Sequence, residues 1–559
     1  MSHDVDKQEE PSPAHTTETS PQKGRRCLID KLPPEITDEI ILYLKIGLEV
    51  DGPRLAKYGT LVQNWVEPIR RILFRKLSIT DSPEDCENLA KIVTPELSQL
   101  VKQLNFSIFL PCFATPHVGH VKRDGDVDIE DNTTIFERSI ASLLRIMARW
   151  HHDGQASGVE LDIGTTTSWI DTQYDPYFKS PFESPDRFPK LQESRPKYVR
   201  FSQGGEALPV VTCVNRLNLK SCLTPTRATT NRALGPTTWL ELLAKMPSAT
   251  STRVGVGFPE WQDDQQRRDD RNGLAKMLRD DGRPPSSNLR DVQLAFRPPY
   301  ATHLGESLPP YSFEALSASI RKWSHNLVHL DLRGMFDQSL FWPQHTERDG
   351  YEAAAEPVWP NLETFTVCLD TQAPSGMYHL LPGDHHRLAG EGHASEQGPV
   401  PPPQPFHRVN RSRNAREIPC PETFEPVVEA RAQALTNMPS LKNACLETSG
   451  YLDEGINRTN RLFPWSMTYL APGVVVRPGA GFEQHRRLEF ENRLGASPDD
   501  STMDKLLRVG EKADPGAMKI LEIGRCDLPP LDERDPDPPS EGSEETPSGA
   551  AVVESLLEG

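Results

Sequence analysis

Two patterns recur in this chain and limit what it can fold into. Apolar residues appear at three- and four-residue steps, and a short stretch alternating apolar with polar follows. Ile135, Phe136, Ile140, Leu143, Leu144, Met147 and Trp150 are such a helical stripe, and Val159-Glu-Leu161-Asp-Ile163 is the strand pattern after it. The same succession returns with Trp239 to Met246 before Leu289 to Phe296, and with Phe313 to Trp323 before Leu327 to Leu332. Trp359 to Val367 adds a strand-like phrase, and the succession returns with Phe424 to Met438 before Leu441 to Leu446. One helix and one strand cannot bury their apolar faces alone. Stacked neighbours can, with the strands joined in a parallel sheet. The expected fold class is therefore α/β.

Several junctions share the form Leu-x-x-apolar-x-Leu after a helix. Asn326-Leu-Val-His-Leu-Asp-Leu332 and Pro360-Asn-Leu-Glu-Thr-Phe-Thr-Val367 are leucine-rich-repeat-like. The period is irregular and carries long insertions. The pattern thus predicts an irregular leucine-rich-repeat-like α/β solenoid, and generic α/β layers remain open beside it.

Composition shifts divide the chain. Residues 1–25 are polar and Pro-rich, and disorder is expected there. Residues 26–80 are dense in apolar residues at helical spacing and read as a small three-helix module. The repeat-like body covers 81–382 and resumes at 421–525. Between them, 383–420 holds Pro399-Val-Pro-Pro-Pro-Gln-Pro405 and reads as a disordered Pro-rich insertion. The acidic tail 526–559 reads as disordered too.

The formal net charge of -18 disfavours phosphate backbones, so no nucleic acid is expected as partner. The nine cysteines are odd in number and include no C-x-x-C pair, which suits reduced thiols in cytoplasm or nucleus. Met1 to Arg26 lacks the apolar run of a secretory signal. No stretch approaches the roughly 20 apolar residues of a membrane helix, so no membrane association is expected. Asp124-Gly-Asp126-Val-Asp128 opens like a calcium loop, but Ile129 and Ile135 stand where such a loop needs Gly and Glu. His151-His152 and His385-His386 are adjacent pairs that share no helix face and have no Cys ligands nearby. G-x-S-x-G, P-loop and H-E-x-x-H signatures are all missing. The expectation is a protein that binds other proteins, is not an enzyme, and takes no cofactor or metal.

The sharpest pattern lies in 28–79. Leu32-Pro33-Pro34-Glu35-Ile36 suits a helix start, since Pro is tolerated in the first turn and Glu complements the dipole. Ile36, Ile40 and Leu44 follow at four-residue steps, with Ile41 and Leu42 beside them. Leu55, Tyr58, Leu61 and Val62 make a second stripe, and Trp65, Ile69, Ile72 and Leu73 a third. Three short helices enclose little core, so such a module tends to cover remaining apolar surface with a partner.

This ordered run resembles the F-box in the form seen in fungal F-box proteins, with a departure at Gln63 and Asn64 before Trp65. Later phrases, among them Leu340-Phe-Trp-Pro343, Trp359-Pro-Asn-Leu362 and Tyr469-Leu-Ala-Pro-Gly473, look like that group as well. The resemblance implies a substrate receptor of a cullin–RING (Skp–cullin–F-box type) ubiquitin ligase, serving ubiquitin-dependent degradation. The F-box would dock a Skp-type adaptor joined to a cullin scaffold, and the repeat body would hold an unknown target protein. It also implies adaptor-binding roles for Leu32, Pro33, Ile36, Ile40, Ile41, Leu44, Val62 and Trp65, divided between the module's own core and the docking face. The alternative is a non-ligase interaction scaffold whose N-terminal helices form a structural cap.

Overall fold

The computed structural model describes residues 33, 35–37, 39–41, 65–110, 126–150, 158–167, 199–202, 204–219, 234–257, 264–280, 287–297, 315–343, 357–370, 373–375, 377–382, 416–448, 465–475, 483–492 and 498–523. The polar N-terminus, the Pro399–Pro405 run and the acidic tail lie outside the described residues. The chain divides into two compact units. One comprises Met1–Leu77 with Leu100–Lys102, and the other comprises Ser78–Gln99 with Gln103–Gly559.

In the first unit, residues 35–37 and 39–41 are helical, and α1 spans Val66–Arg75. Glu67 in its first turn and Arg75 in its last complement the helix dipole. Ile41, Trp65 and Ile69 form a buried cluster, and Ile40, Ile72 and Leu73 pack against it. The helical turn opens on Thr37, whose N–H and hydroxyl both donate to the carbonyl of Pro33, at 3.0 and 3.2 Å.

The second unit is a mixed α/β body built on one open, mostly parallel sheet of twelve strands. In chain order, β1 is Lys76–Thr80, β2 Gln103–Leu110, β3 Val159–Thr167, β4 Val214–Leu219, β5 Ser251–Gly257 and β6 Asp291–Arg297. Then come β7 His329–Gly334, β8 Thr364–Leu369, β9 Leu380–Pro382 and β10 Arg416–Pro419. The last four are β11 Asn443–Thr448, β12 Trp465–Leu470, β13 Arg487–Asn492 and β14 Lys519–Ile523. Strands β1–β8 and β11–β14 lie side by side in sequence order, while β9 and β10 form a separate antiparallel pair. Pairing is parallel from β2 through β8 and on to β11.

Helices fill the crossovers. They are α2 Pro83–Ile92, α3 Pro95–Ser98, α4 Asp126–Met147, α5 Thr238–Leu243, α6 Asp264–Asp280, α7 Ala315–Trp323, α8 Glu425–Leu435 and α9 Asp500–Leu507. Ser82, Thr94 and Asp499 cap α2, α3 and α9 by accepting backbone N–H bonds from Asp85, Leu97 and Thr502. Between the helices, Trp239 of α5 meets Trp323 of α7 edge-on at 5.9 Å, a favourable aromatic geometry.

The sequence junctions coincide in space. Leu289, Leu327, Leu362 and Leu441 are buried just before their strands. The next apolar positions then fall in register: Val292, Leu330, Phe365 and Ala444 on one row, and Leu294, Leu332, Val367 and Leu446 on the next. The carbonyl oxygens of Thr250, Arg290, Val328 and Glu363 each accept the N–H of the following unit at 2.8 Å. Aligned partners are separated by 35 residues from Arg216 to Ser251, 40 from Ser251 to Asp291, and 38 from Gln293 to Asp331.

Past β11 the direction changes. β11–β12 and β12–β13 pair antiparallel, and β13–β14 parallel. Arg431 of α8 is fully buried beneath this turn in direction and donates from Nη2 to the carbonyl of Ala444 at 2.8 Å. Burial lowers its guanidinium to about 10. Arg486 closes the end of α9, donating from Nη1 to the carbonyls of Leu507 and Val509 at 3.2 and 2.6 Å.

The expected Pro-rich insertion ends differently from its sequence boundary at 420. Arg416–Pro419 pair with Leu380–Pro382, and Cys420 is buried with its N–H bonded to the carbonyl of His379 at 2.8 Å. Backbone pairing outweighs local composition there. Pro419 is tolerated because β10, in its two-stranded pair with β9, is an edge strand.

Candidate docking surfaces

Five of the eight residues expected to bind an adaptor are described, and the first unit separates them. Pro33 is exposed, and Ile36 is 42% exposed. Ile40, one turn further along the same helix face, is half-buried against the core. Ile41 and Trp65 are 0% and 7% exposed and belong to that core. Leu32, Leu44 and Val62 lie outside the described residues. The indole Nε1 of Trp65 is buried with no hydrogen-bond acceptor among the described residues. Its contribution is therefore apolar packing.

A second surface lies in the body. Parallel sheets are ordinarily covered on both faces. Here the strands alternate instead, with buried side chains on one face and more accessible ones on the other in β2, β7, β8, β11 and β12. Register brings Asn105, Asp162, Asn218, Arg253, Gln293, Asp331, Thr366 and Cys445 into one continuous row on the face opposite the apolar rows, with Asp162 and Asn218 themselves buried. A parallel row beside it runs Gln103, Glu160, Arg216, Ser251, Asp291, His329, Thr364 and Asn443.

Side chains bridge neighbouring strands along these rows. Gln103 Nε2 donates to Asp162 Oδ2 at 2.9 Å. Asn218 Nδ2 donates to Glu160 Oε1 and to Asp162 Oδ1, both at 2.6 Å. Arg216 Nε donates to Ser251 Oγ at 3.2 Å, which in turn donates to Asp291 Oδ2 at 3.1 Å. Gln293 Nε2 reaches Asp331 Oδ2 at 2.6 Å, and Arg333 pairs with Asp331 at 3.6 Å. These bonds hold polar groups in fixed positions across many strands.

The thiols on this face are not nucleophiles. Burial pushes Cys368 and Cys445 up to about 12, with Glu447 adding to the effect. No group of three His, Cys, Asp or Glu side chains placed to hold a metal ion occurs among the described residues. No helix among them is long and apolar enough to cross a membrane.

Whether the strand face serves as a recognition surface is not legible in the sequence. Its residues occupy the polar positions of each strand, where a single sequence gives no reason to separate a binding residue from a solvated one. β2, β4, β5, β9, β10 and β12–β14 are not among the strands expected from the pattern. Ser251-Thr-Arg-Val-Gly-Val-Gly257 and Trp465-Ser-Met-Thr-Tyr-Leu470 carry the period-two alternation that marks a strand.

Compared with known families and with curated proteins, the chain matches no family model and no curated protein.

Proposed function

We propose that this chain is a substrate-receptor subunit of a Skp–cullin–F-box type ubiquitin ligase. Its N-terminal module docks the adaptor, and its body, a leucine-rich-repeat-like solenoid, holds a target protein on the open sheet face. The observation that carries the first half is the split within residues 33–41: Pro33 and Ile36 stay exposed while Ile41 is sealed into the core. Pro33 and Ile36 thus leave apolar surface beside that core for a partner to cover. The solenoid reading is supported by sequence-order strands, by aligned Leu-x-x-apolar-x-apolar junctions, and by a parallel sheet left open on one face. The ligase's chemistry would belong to other subunits, and this chain would be no enzyme.

The test uses the full-length chain and a purified Skp-type adaptor in size-exclusion chromatography. Co-elution with the wild type, lost in Ile36→Asp and kept in Ile520→Asp, is the expected result. Ile520 is a comparably exposed isoleucine elsewhere, 45% accessible, and controls for general stickiness. Failure of the wild type to co-elute, or equal co-elution of both variants, rejects the reading. In that case a scaffold role without a ligase remains.

A further inference from the structure

We propose that Arg216 and Arg253 form a clamp for one carboxylate, an aspartate or glutamate side chain, of the protein bound on the open sheet face. This inference rests on the reading of that face as the target-binding surface.

Side chains two residues apart along a strand share its face. The register of β4 against β5 sets Arg216 beside Ser251 and Asn218 beside Arg253. Arg216 and Arg253 are therefore diagonal neighbours on one face. Diagonal positions on paired strands lie about 7–8 Å apart, within reach of long side chains. Both arginines are exposed, so a partner can meet them without opening the fold.

The two are held differently. Arg216 Nε donates to Ser251 Oγ at 3.2 Å, which anchors its guanidinium over β5. Its Nη2 stands 3.9 Å from Asp291 Oδ2, too far for a hydrogen bond, and the two side chains are 47% and 43% exposed. A surface pair of that kind contributes little and leaves the outer donors free to turn to another anion. Arg253 makes no hydrogen bond and no ion pair among the described residues. Its neighbours in register are two neutral amides, Asn218 and Gln293, rather than a counterion. The carboxylates nearby already have donors: Asp291 accepts from Ser251 at 3.1 Å and Asp331 from Gln293 at 2.6 Å.

A guanidinium presents several donors in a planar fork and no acceptor, and a carboxylate presents two oxygens and no donor. Two forks side by side, one anchored and one unpaired, fit a single carboxylate between them, which is the group this part of the face lacks.

The experiment is fluorescence anisotropy with the full chain and labelled Gly-Ser dodecapeptides carrying two glutamates or two glutamines, in low salt where screening is weakest. The glutamate peptide is expected to bind more tightly. Arg253→Gln should weaken its binding by about tenfold. Arg253→Lys keeps the charge but loses the fork, and should recover only part of that loss. Arg508→Gln, at the exposed end of α9, makes the same change of net charge and should leave binding unaltered. Equal binding of the two peptides, or full recovery with lysine, overturns the clamp. So does an equal loss in Arg253→Gln and Arg508→Gln, which would trace the attraction to charge in general. Gln293→Trp adds bulk beside Arg253 without changing the charge, and it separates the two levels. Glutamate-peptide binding lost in Gln293→Trp but kept in Arg253→Gln would reject the clamp and leave the face reading standing. Binding indifferent to both would reject the clamp and the face together.

Discussion

The imidazole Nε2 of His379 lies 3.1 Å from the carbonyl oxygen of Phe336, with the ring completely buried. Phe424 faces the ring edge-on at 6.3 Å. Burial in these apolar surroundings lowers the imidazole from 6.5 to about 4, although contacts with the backbone of Phe336 and Thr423 pull the other way. The folded chain therefore keeps this ring neutral at pH values where the unfolded chain protonates it. Stability from this residue is complete above about pH 6.5 and is lost as pH falls toward 4. The ceiling is about 3 kcal/mol. Urea midpoints measured across that window should fall for the wild type and fall less steeply for His379→Gln. Parallel curves for the two proteins would remove His379 from the acid response.

Stability and docking should separate within the first unit. Ile41→Ala opens a cavity beneath Trp65 and Ile69 and should cost about 2–4 kcal/mol. Ile36→Ala removes a side chain largely in water and should cost less than about 0.5 kcal/mol. Trp65→Phe should be milder than Trp65→Ala, since the indole nitrogen contributes no hydrogen bond among the described residues. Hydrogen exchange over residues 35–41 and 65–75 reads each effect locally. A larger loss in Ile36→Ala than in Ile41→Ala would contradict the assignment of faces.

Gly510 has φ of +71°, and a methyl group there would collide with the hydroxyl of Tyr469. Gly510→Ala should therefore destabilise the chain by about 2 kcal/mol, from the collision and the left-handed backbone together. In a Tyr469→Phe background the collision is relieved and about 1 kcal/mol of backbone cost remains. A double-mutant cycle by thermal denaturation measures the difference. Strict additivity would mean that Tyr469 does not restrict Gly510.

Burial pushes the thiols of Cys213, Cys368 and Cys445 up to about 12. At neutral pH they are protonated and poor nucleophiles. Iodoacetamide at pH 7.5 should leave all three unmodified in the native chain and label them rapidly in urea, as followed by mass spectrometry. Fast native labelling of Cys445 would show that its strand opens readily.

Much of the α/β body was legible because helix and strand announce themselves by period. Trp359-Pro-Asn-Leu362 and Leu327-Val-His-Leu330 led directly to β8 and β7, since a buried leucine three residues ahead of the first inward strand position leaves a fixed spacing. Other features have no such trace. Arg431 sits amid Val427, Val428, Ala432 and Leu435 on α8, and nothing in the sequence tells that a charged residue there is fully buried against backbone carbonyls. Asp162 and Asn218 are 56 residues apart, and only the register of β3 against β4 makes them partners. Of the helix around Ile36 to Ile41, the four-residue spacing was visible. Which of Ile36, Ile40 and Ile41 faces water depends on where Trp65 packs, a tertiary fact.

From β1 to β8, each new strand is laid beside the one made just before it. A chain emerging from the ribosome can therefore add these layers one at a time, each finding its template already in place, without waiting for a distant segment to be synthesised. The longest delay falls between β8 and β11, whose aligned residues Val367 and Leu446 are separated by the β9–β10 excursion. A nascent chain halted there would display β8 as a bare edge. The wait for β11 is thus the interval in which the growing protein is most open to pairing with the wrong strand.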